Sequence, residues 1–188
     1  MSRKYKMPSN QNLSSRSSTI SNAFANSVTP RIKPDASELK GYYEALGINE
    51  GQCAYCVSGV GNGRDHLKPL VKDGMPTGYI TDIRNLVPCC QKCNSSKGSK
   101  SFEEWYKSDN NLKRLRSLGL NQDEIEKRYT IIKEYEAKIG QPLDYEKIVG
   151  TEKWNEYKER RKALIKALND NQKFCDMLLK TVLEYLNK

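Results

Sequence analysis

The chain has 188 residues, of which 37% are hydrophobic and 29% are charged, and its mean hydropathy is −0.79. This length suffices for one compact domain with an appendage, and the absence of any run of about 18 apolar residues predicts no membrane span. The formal net charge is +9, and residues 1–34 contain six basic and no acidic side chains. Because Lys and Arg release counterions when they neutralise phosphates, this excess indicates a polyanionic partner such as a nucleic acid.

Residues 1–34 are rich in Ser and Asn and show neither a two-residue nor a 3.6-residue hydrophobic period. We interpret them as a basic flexible arm that either contacts DNA or is a disordered leader. An organelle transit peptide is a less favoured alternative, since the segment has little amphipathic periodicity. The same N-terminus lacks the apolar core of a secretory signal, which predicts a cytoplasmic protein.

In the region that follows, a helix is predicted over residues 35–46, with Asp35 capping its first amides and Gly47 ending it. The cysteine-rich stretch after this helix contains many glycine and turn signals. Its predicted elements are two short strands and a helix, over residues 65–70, 79–83 and 90–98.

The rest of the chain has the hydrophobic spacing of helices. The segment 101–104 has the pattern of a capping box, residues 121–124 start a second helix, and Gly140 and Pro142 stop that helix. The second helix is marked by an apolar stripe at Ile125, Tyr129, Ile132 and Tyr135. A last helix is predicted over residues 151–187, with a break near residues 169–171.

Six cysteines in a reducing compartment favour metal ligation over disulfides. Four of them form two CxxC pairs, which are Cys53 with Cys56 and Cys90 with Cys93. Two such pairs can close a tetrahedral Zn²⁺ site with no open position, so we predict a structural zinc. Cys89 is a rival ligand, although Cys90 gives the tighter pair with Cys93. Cys175 lies at a helical position among apolar residues and is predicted to be a small buried side chain.

The segment between the CxxC pairs contains the only histidine of the chain, His66, which is preceded by Asp65. A neutral imidazole can take a proton from water, because its ordinary pKa is near 6.5. Asp65 and Asn94 offer the oxygen ligands that Mg²⁺ or Mn²⁺ prefers, and such a cation stabilises the charge that develops during phosphodiester hydrolysis. Neighbours in a regular strand point to opposite faces, so Asp65 and His66 can serve one phosphate only where the strand bends or ends.

This pattern resembles the HNH endonucleases over about residues 50 to 105. The motif positions, besides the two CxxC pairs, are Asp65, His66, Asn85, Asn94 and Lys97. The resemblance implies an α+β fold, with a small zinc-stapled ββα-metal core and mainly helical flanking regions. It implies that His66 is the general base and that Asn85 orients the His66 segment through hydrogen bonds. Asp65 and Asn94 would hold the catalytic cation, with Asn94 in the place of the last histidine of the motif.

The resemblance implies a metal-dependent endonuclease that acts on double-stranded DNA. A short chain without a Walker-type ATP motif fits a type II restriction enzyme best. A homing or phage-type nicking endonuclease is the close alternative, and a non-catalytic zinc-ribbon DNA-binding protein is the alternative from another class. Cutting both strands usually needs two active sites, which predicts a homodimer. The predicted DNA contacts are Arg64, Lys68, Arg84 and Lys97.

The predicted domain organisation has three parts. They are the basic arm (1–34), the nuclease core with its zinc knuckles (35–108) and a helical C-terminal region (109–188). Basic residues on the later helices are interpreted mainly as a solvated face, because acidic residues are interspersed among them.

Overall fold

A computed structural model of the chain describes residues 7–8 and 11–187. The fold is an α+β mixture that divides into two compact units. We call residues 25–144 the central unit, and residues 1–24 together with 145–188 the terminal unit. None of the helices within the described residues combines the length and the apolar content needed to cross a membrane.

The central unit begins with two short helices, α2 (Ala36–Leu39) and α3 (Tyr42–Ala45). The Asp35 carboxylate accepts a hydrogen bond from the amide of Glu38 and completes a capping box, which confirms the predicted helix start. The single helix predicted over 35–46 is wrong, because the backbone between α2 and α3 turns at Gly41 with a φ of 106°. That conformation is left-handed and favours glycine, so it interrupts the helix.

A two-stranded antiparallel sheet supports the middle of the central unit. Strand β1 (Gly63–His66) pairs with β4 (Leu86–Cys89), and a small hairpin of β2 (Val71–Lys72) and β3 (Met75–Pro76) lies between them in the chain. The strand predicted over 79–83 is wrong. Its end is a 3₁₀ turn, because the Asp82 carboxylate accepts a hydrogen bond from the amide of Asn85 and caps the turn.

Four helices complete the central unit. They are α4 (Gln91–Lys97), α5 (Phe102–Tyr106), α6 (Asp109–Ser117) and α7 (Gln122–Glu136). The predicted start signals are confirmed, since Ser101 caps α5 and Asn121 forms a full capping box on α7. The predicted stripe on α7 faces the core, where Ile125, Ile132 and Tyr135 are buried. The division of the chain into domains at residues 34 and 108 stays a prediction.

An aromatic cluster forms the centre of this core. The Tyr55 ring lies 4.9 Å from that of Trp105 and 5.9 Å from that of Phe102, and all three side chains are fully buried. Burying a large aromatic side chain stabilises a fold by about 1.5–3 kcal/mol. The cluster therefore ties the first CxxC pair, which flanks Tyr55, to helix α5.

The terminal unit contains most of α1 (Ser17–Asn26), together with α8 (Tyr145–Val149) and α9 (Thr151–Leu186). Helix α1 lies in the segment that we predicted to be a flexible arm. Its Phe24 ring is 4.8 Å from that of Tyr157, at the end of a row of stacked rings that continues through Trp154 to Tyr145. This tertiary packing stabilises α1, although its sequence has no helical hydrophobic period. Residues 1–6 and 9–10 of the predicted arm lie outside the described residues.

Helix α9 runs without the break that we predicted near residues 169–171. The polar residues there are accommodated inside the helix. Asp170 pairs with Lys166, and the side-chain amide of Asn171 donates to the Ala167 carbonyl at 2.8 Å. Such contacts four residues apart stabilise a helix. The prediction for Cys175 is also wrong, since this thiol is exposed on α9 rather than buried.

Candidate active site and zinc cluster

The four cysteines of the two CxxC pairs come together in one cluster. The Sγ atoms of Cys53, Cys56, Cys90 and Cys93 all lie within 4.8 Å of one another. The separation between the Sγ atoms of Cys56 and Cys90 is 3.9 Å. A tetrahedral zinc with Zn–S bonds of about 2.3 Å separates its sulfurs by about 3.8 Å. The cluster therefore fits a structural zinc ion.

Local backbone geometry places the second CxxC pair. Cys90 is the N-cap of α4, and its Sγ accepts a hydrogen bond from the amide of Cys93 at 3.4 Å. Gly59 passes so close that a Cβ at this position would lie 2.9 Å from the Cβ of Cys90. Glycine is thus required where the loop after the first pair crosses the second. The Arg114 guanidinium donates to the Sγ of Cys93 at 3.2 Å, so this sulfur has a cationic neighbour.

Cys89, the rival ligand, lies outside this cluster. It is the last residue of β4 and its side chain is fully buried. Burial, assisted by the negative charge of Asp65, raises the pKa of the Cys89 thiol to about 12. Cys89 is therefore a protonated core residue beside the cluster.

The Asp65 carboxylate is held by two buried neighbours. Its Oδ2 accepts a hydrogen bond from the Tyr55 hydroxyl at 2.5 Å. The same oxygen forms an ion pair with the Lys97 ammonium at 3.0 Å. Burial, followed by the charge of Asp65, raises the pKa of Tyr55 well above its ordinary value, so the phenol stays a donor. Within the described residues, Oδ1 of Asp65 has no hydrogen-bond partner, so one carboxylate oxygen remains available.

Lys97 is placed differently from our prediction of a DNA contact. Its side chain is only 1% exposed, because α4 packs on β1 and directs Lys97 into the interface. The ammonium donates to the carbonyl of His66 at 2.8 Å as well as to Asp65. A buried charge is tolerated only when it is paired and hydrogen-bonded, and both conditions are met.

His66 is the last residue of β1 and is partly buried. Its Nε2 lies 2.9 Å from the Oγ1 of Thr81. Burial lowers the pKa of the imidazole, and the charges of Lys97 and Arg31 act in the same direction against the opposing effect of Asp65. The ring is therefore neutral at neutral pH.

The predicted tension between Asp65 and His66 is visible in their surroundings. The carboxylate of Asp65 faces Tyr55 and Lys97, whereas the imidazole of His66 faces Thr81. The strand ends at His66, as the prediction required, and Lys97 joins the two residues through the Asp65 side chain and the His66 backbone.

Asn85 fixes the chain that follows His66. Its side-chain oxygen accepts from the amide of Lys68 at 2.8 Å, and its side-chain nitrogen donates to the carbonyls of Lys68 and Ile80 at 3.1 and 2.9 Å. The backbone carbonyl of Asn85 also accepts from the amide of Leu67 at 2.9 Å. The side chain is 1% exposed, so these bonds form in a dry environment where their loss is costly.

Asn94 lies exposed on α4, directly after Cys93. It precedes Lys97 by three residues, and residues at this spacing are neighbours on a helix surface. Asn94 is thus presented on the side of α4 from which Lys97 reaches Asp65. Within the described residues its side-chain amide makes no hydrogen bond, which leaves its side-chain oxygen available as a ligand. One carboxylate and one amide oxygen fit Mg²⁺, which usually keeps several waters and takes few protein ligands.

The other three predicted DNA contacts lie nearer the surface than Lys97. Arg64 is exposed and donates to the carbonyl of Gly63 at 3.1 Å. Lys68 pairs with Glu136 at 3.1 Å, and Arg84 makes two hydrogen bonds to Asp82. Each of these cations is thus engaged with a protein group.

Two residues of the site had no signal in the sequence. Tyr55 lies inside the first CxxC pair, where its position carries no chemical meaning, and Thr81 is separated from His66 by a glycine- and proline-containing segment. Their contacts with Asp65 and His66 depend on tertiary packing alone.

Comparison with known proteins agrees with this geometry. The HNH endonuclease family matches residues 53–100. The SPbeta prophage-derived putative HNH endonuclease YoqL of Bacillus subtilis (strain 168) is 59% identical over 29 residues, which are 15% of this chain and 13% of that protein. The CRISPR-associated endonuclease Cas9 of Corynebacterium diphtheriae is 35% identical over 80 residues, which are 40% of this chain and 7% of that protein.

The chain therefore spans only a small fraction of the length of these relatives. No solved structure matches it significantly. The family match begins at the first cysteine of the cluster and ends just beyond α4, so it covers every predicted site residue. Residues 53–100 of this chain are an HNH endonuclease domain.

Proposed function

We propose that the protein is a metal-dependent endonuclease that hydrolyses phosphodiester bonds of double-stranded DNA. The observation that carries the proposal is the buried Lys97, which joins the Asp65 carboxylate to the backbone of His66. Burying an ion pair of this kind costs desolvation free energy, so such a pair indicates that a specific arrangement of groups is required. Here it holds a potential metal ligand and a potential base at the end of one strand.

His66 is proposed to be the general base. When its Nε2 carries the proton and donates to Thr81, its Nδ1 presents a lone pair to a water molecule. That nitrogen would take the proton as the water attacks the phosphorus and the bond between the phosphorus and the leaving oxygen breaks. Thr81 would thus select the tautomer, in the way that a hydrogen-bond partner sets which ring nitrogen is free.

Asp65 and Asn94 are proposed to hold the catalytic cation, Mg²⁺ or Mn²⁺. When bound, the cation supplies positive charge to the phosphate and the leaving oxygen. Tyr55 and Lys97 both bind Oδ2 of Asp65, which would leave Oδ1 available to the cation. Asn85 keeps the chain after His66 in place, so the distance between base and ligand is fixed before substrate arrives. The zinc proposed for the four cysteines would be structural.

Two biological roles fit this chemistry. A type II restriction endonuclease fits a small nuclease without an ATP motif, as the sequence indicated. The similarity to a prophage-derived putative HNH endonuclease favours the phage-type alternative instead. A non-catalytic zinc-ribbon DNA-binding protein would have no need of the Asp65–Lys97 pair.

Purified protein incubated with supercoiled plasmid and Mg²⁺ or Mn²⁺ tests the proposal and separates the roles. We expect cleavage that stops when EDTA removes the cation. A restriction enzyme gives linear plasmid with defined ends, whereas a nicking enzyme gives open circles, and sequencing of the ends identifies the site. Binding without cleavage under all metal conditions would contradict the proposal and leave the zinc-ribbon role.

We also propose that the protein acts as a homodimer. The second half of α9 exposes apolar side chains on one stripe, with Leu178, Val182 and Tyr185 exposed by 49%, 53% and 76%. Residues spaced by four and three positions share one helix face, and an uncovered apolar face is typical of a helix that packs against a partner.

Light scattering after gel filtration should give twice the chain mass of 21.5 kDa. Leu178→Glu should convert the dimer to a monomer at micromolar concentration, because the carboxylate would be desolvated at the contact. Lys173→Glu, which changes the charge of the same helix by two, is the matched control and should remain dimeric. A monomeric wild type would exclude the dimer.

A further inference from the structure

The segment that contains Arg31 pairs with the chain beside His66. The amide of Ile32 donates to the carbonyl of Thr81 at 2.8 Å, and the amide of Thr81 donates to the carbonyl of Pro30 at 3.0 Å. These two bonds make a parallel bridge between Arg31 and Thr81. Thr81 is the residue whose hydroxyl lies 2.9 Å from Nε2 of His66.

This pairing places the Arg31 side chain on the same face as the His66 contact. Neighbouring strands lie about 4.8 Å apart, and side chains of paired residues project from the same face. Because the side chain of Thr81 contacts His66, the side chain of Arg31 starts from the backbone next to that contact. The charge of Arg31 also contributes to the low pKa of the imidazole, which agrees with this proximity.

Arg31 differs from the other cations near the site in having no partner side chain among the residues that the structure describes. Lys97, Lys68 and Arg84 are each paired with a carboxylate, and Arg64 bonds to carbonyls. Arg31 is exposed, and among the described residues its guanidinium makes no hydrogen bond or ion pair. The backbone of Arg31 is fixed by the bridge to Thr81, whereas its guanidinium has no anion beside it. Such a group is suited to bind an anionic ligand.

We propose that Arg31 binds the DNA phosphate that is presented to His66. The guanidinium would contact the non-bridging oxygens of that phosphate and offset the charge that grows on them during attack. This assignment rests on the proposed nuclease function and adds to it a phosphate-binding residue from outside the matched range 53–100.

The test compares Arg31→Ala, Arg31→Lys and the matched control Lys40→Ala, which removes an exposed cation elsewhere in the central unit. Steady-state cleavage of plasmid gives kcat and KM for each. Binding is measured over a salt series with each substitution added to the inactive His66→Ala chain. Since the bridge to Thr81 uses only backbone atoms, all variants should fold, and thermal melting checks this.

For Arg31→Ala we expect kcat/KM to fall about 10- to 100-fold, with most of the loss in kcat. The slope of log K against log salt should flatten by about 0.9, the value for one phosphate contact. Arg31→Lys should restore the slope but only part of the rate, because an ammonium cannot bind two oxygens in the fork geometry of a guanidinium. Lys40→Ala should match the unsubstituted chain in both measurements.

Equal behaviour of Arg31→Ala and Lys40→Ala would overturn the assignment. A flatter salt slope without a loss of rate would also overturn it, since the contacted phosphate would then lie away from His66. If the unsubstituted chain does not cleave DNA, the proposed function fails. The salt series then still decides whether Arg31 contacts a phosphate. An unchanged salt slope for Arg31→Ala would show that it does not.

Discussion

Replacement of His66 by alanine is expected to lower the rate of plasmid cleavage by about 10²- to 10⁴-fold, the usual contribution of a general base. The chain contains no second histidine that could replace it. The neutral, partly buried imidazole lies at the end of β1, where Lys97 binds the carbonyl of His66 and Asn85 binds the backbone of Lys68. The loss should therefore appear in kcat, with KM little changed.

DNA affinity should stay within a few-fold, because a neutral imidazole contributes no phosphate charge. Gel-shift binding and single-turnover cleavage of the same duplex separate the two effects. Zinc content and thermal melting of His66→Ala show whether the fold is retained. A variant with the cleavage rate of the wild type would remove His66 from the mechanism.

Replacement of Cys93 by serine is expected to release zinc and unfold the region from residue 53 to residue 100. Structural zinc contributes on the order of 10 kcal/mol to the folding of small zinc modules, which is comparable with the stability of a whole domain. Cys93 lies in the first turn of α4, so its loss also detaches the helix that carries Asn94 and Lys97. Metal analysis and limited proteolysis should show zinc-free, protease-sensitive protein.

Cys89→Ser is the matched control, because it changes the same atom four residues away. Cys89 is a buried thiol outside the cluster, so zinc should remain stoichiometric. The free energy of unfolding should fall by about 1–3 kcal/mol, the cost of burying an unpaired hydroxyl. One zinc per chain in a well-folded Cys90→Ser protein would contradict the ligand set and favour Cys89 in its place.

Local signals in the sequence predicted the helix starts correctly, and the four cysteines that they indicated as zinc ligands lie together in the structure. Asp35, Ser101 and Asn121 each cap the helix that their spacing indicated, because a cap involves only residues three positions apart. The four cysteines meet for a related reason, since each CxxC pair forms a half-site within one turn of chain.

Features that depend on distant partners were missed. The strand predicted over 79–83 is absent, because the Asp82 carboxylate caps a 3₁₀ turn there, and the partner of β1 is Leu86–Cys89. The burial of Lys97 follows from the packing of α4 on β1, which helical spacing alone does not specify. Arg31 reaches the site through a pairing with Thr81 across about fifty residues.

The hydrogen bonds of Asn85 have a consequence for how this domain can vary in length. Its side chain binds the backbone of both Lys68 and Ile80. The chain before and after the hairpin of β2 and β3 is therefore held together by Asn85. A doubling of loop length costs only about 0.6 kcal/mol in closure entropy. The hairpin can therefore be lengthened or replaced during evolution while β1, which carries Asp65 and His66, keeps its place.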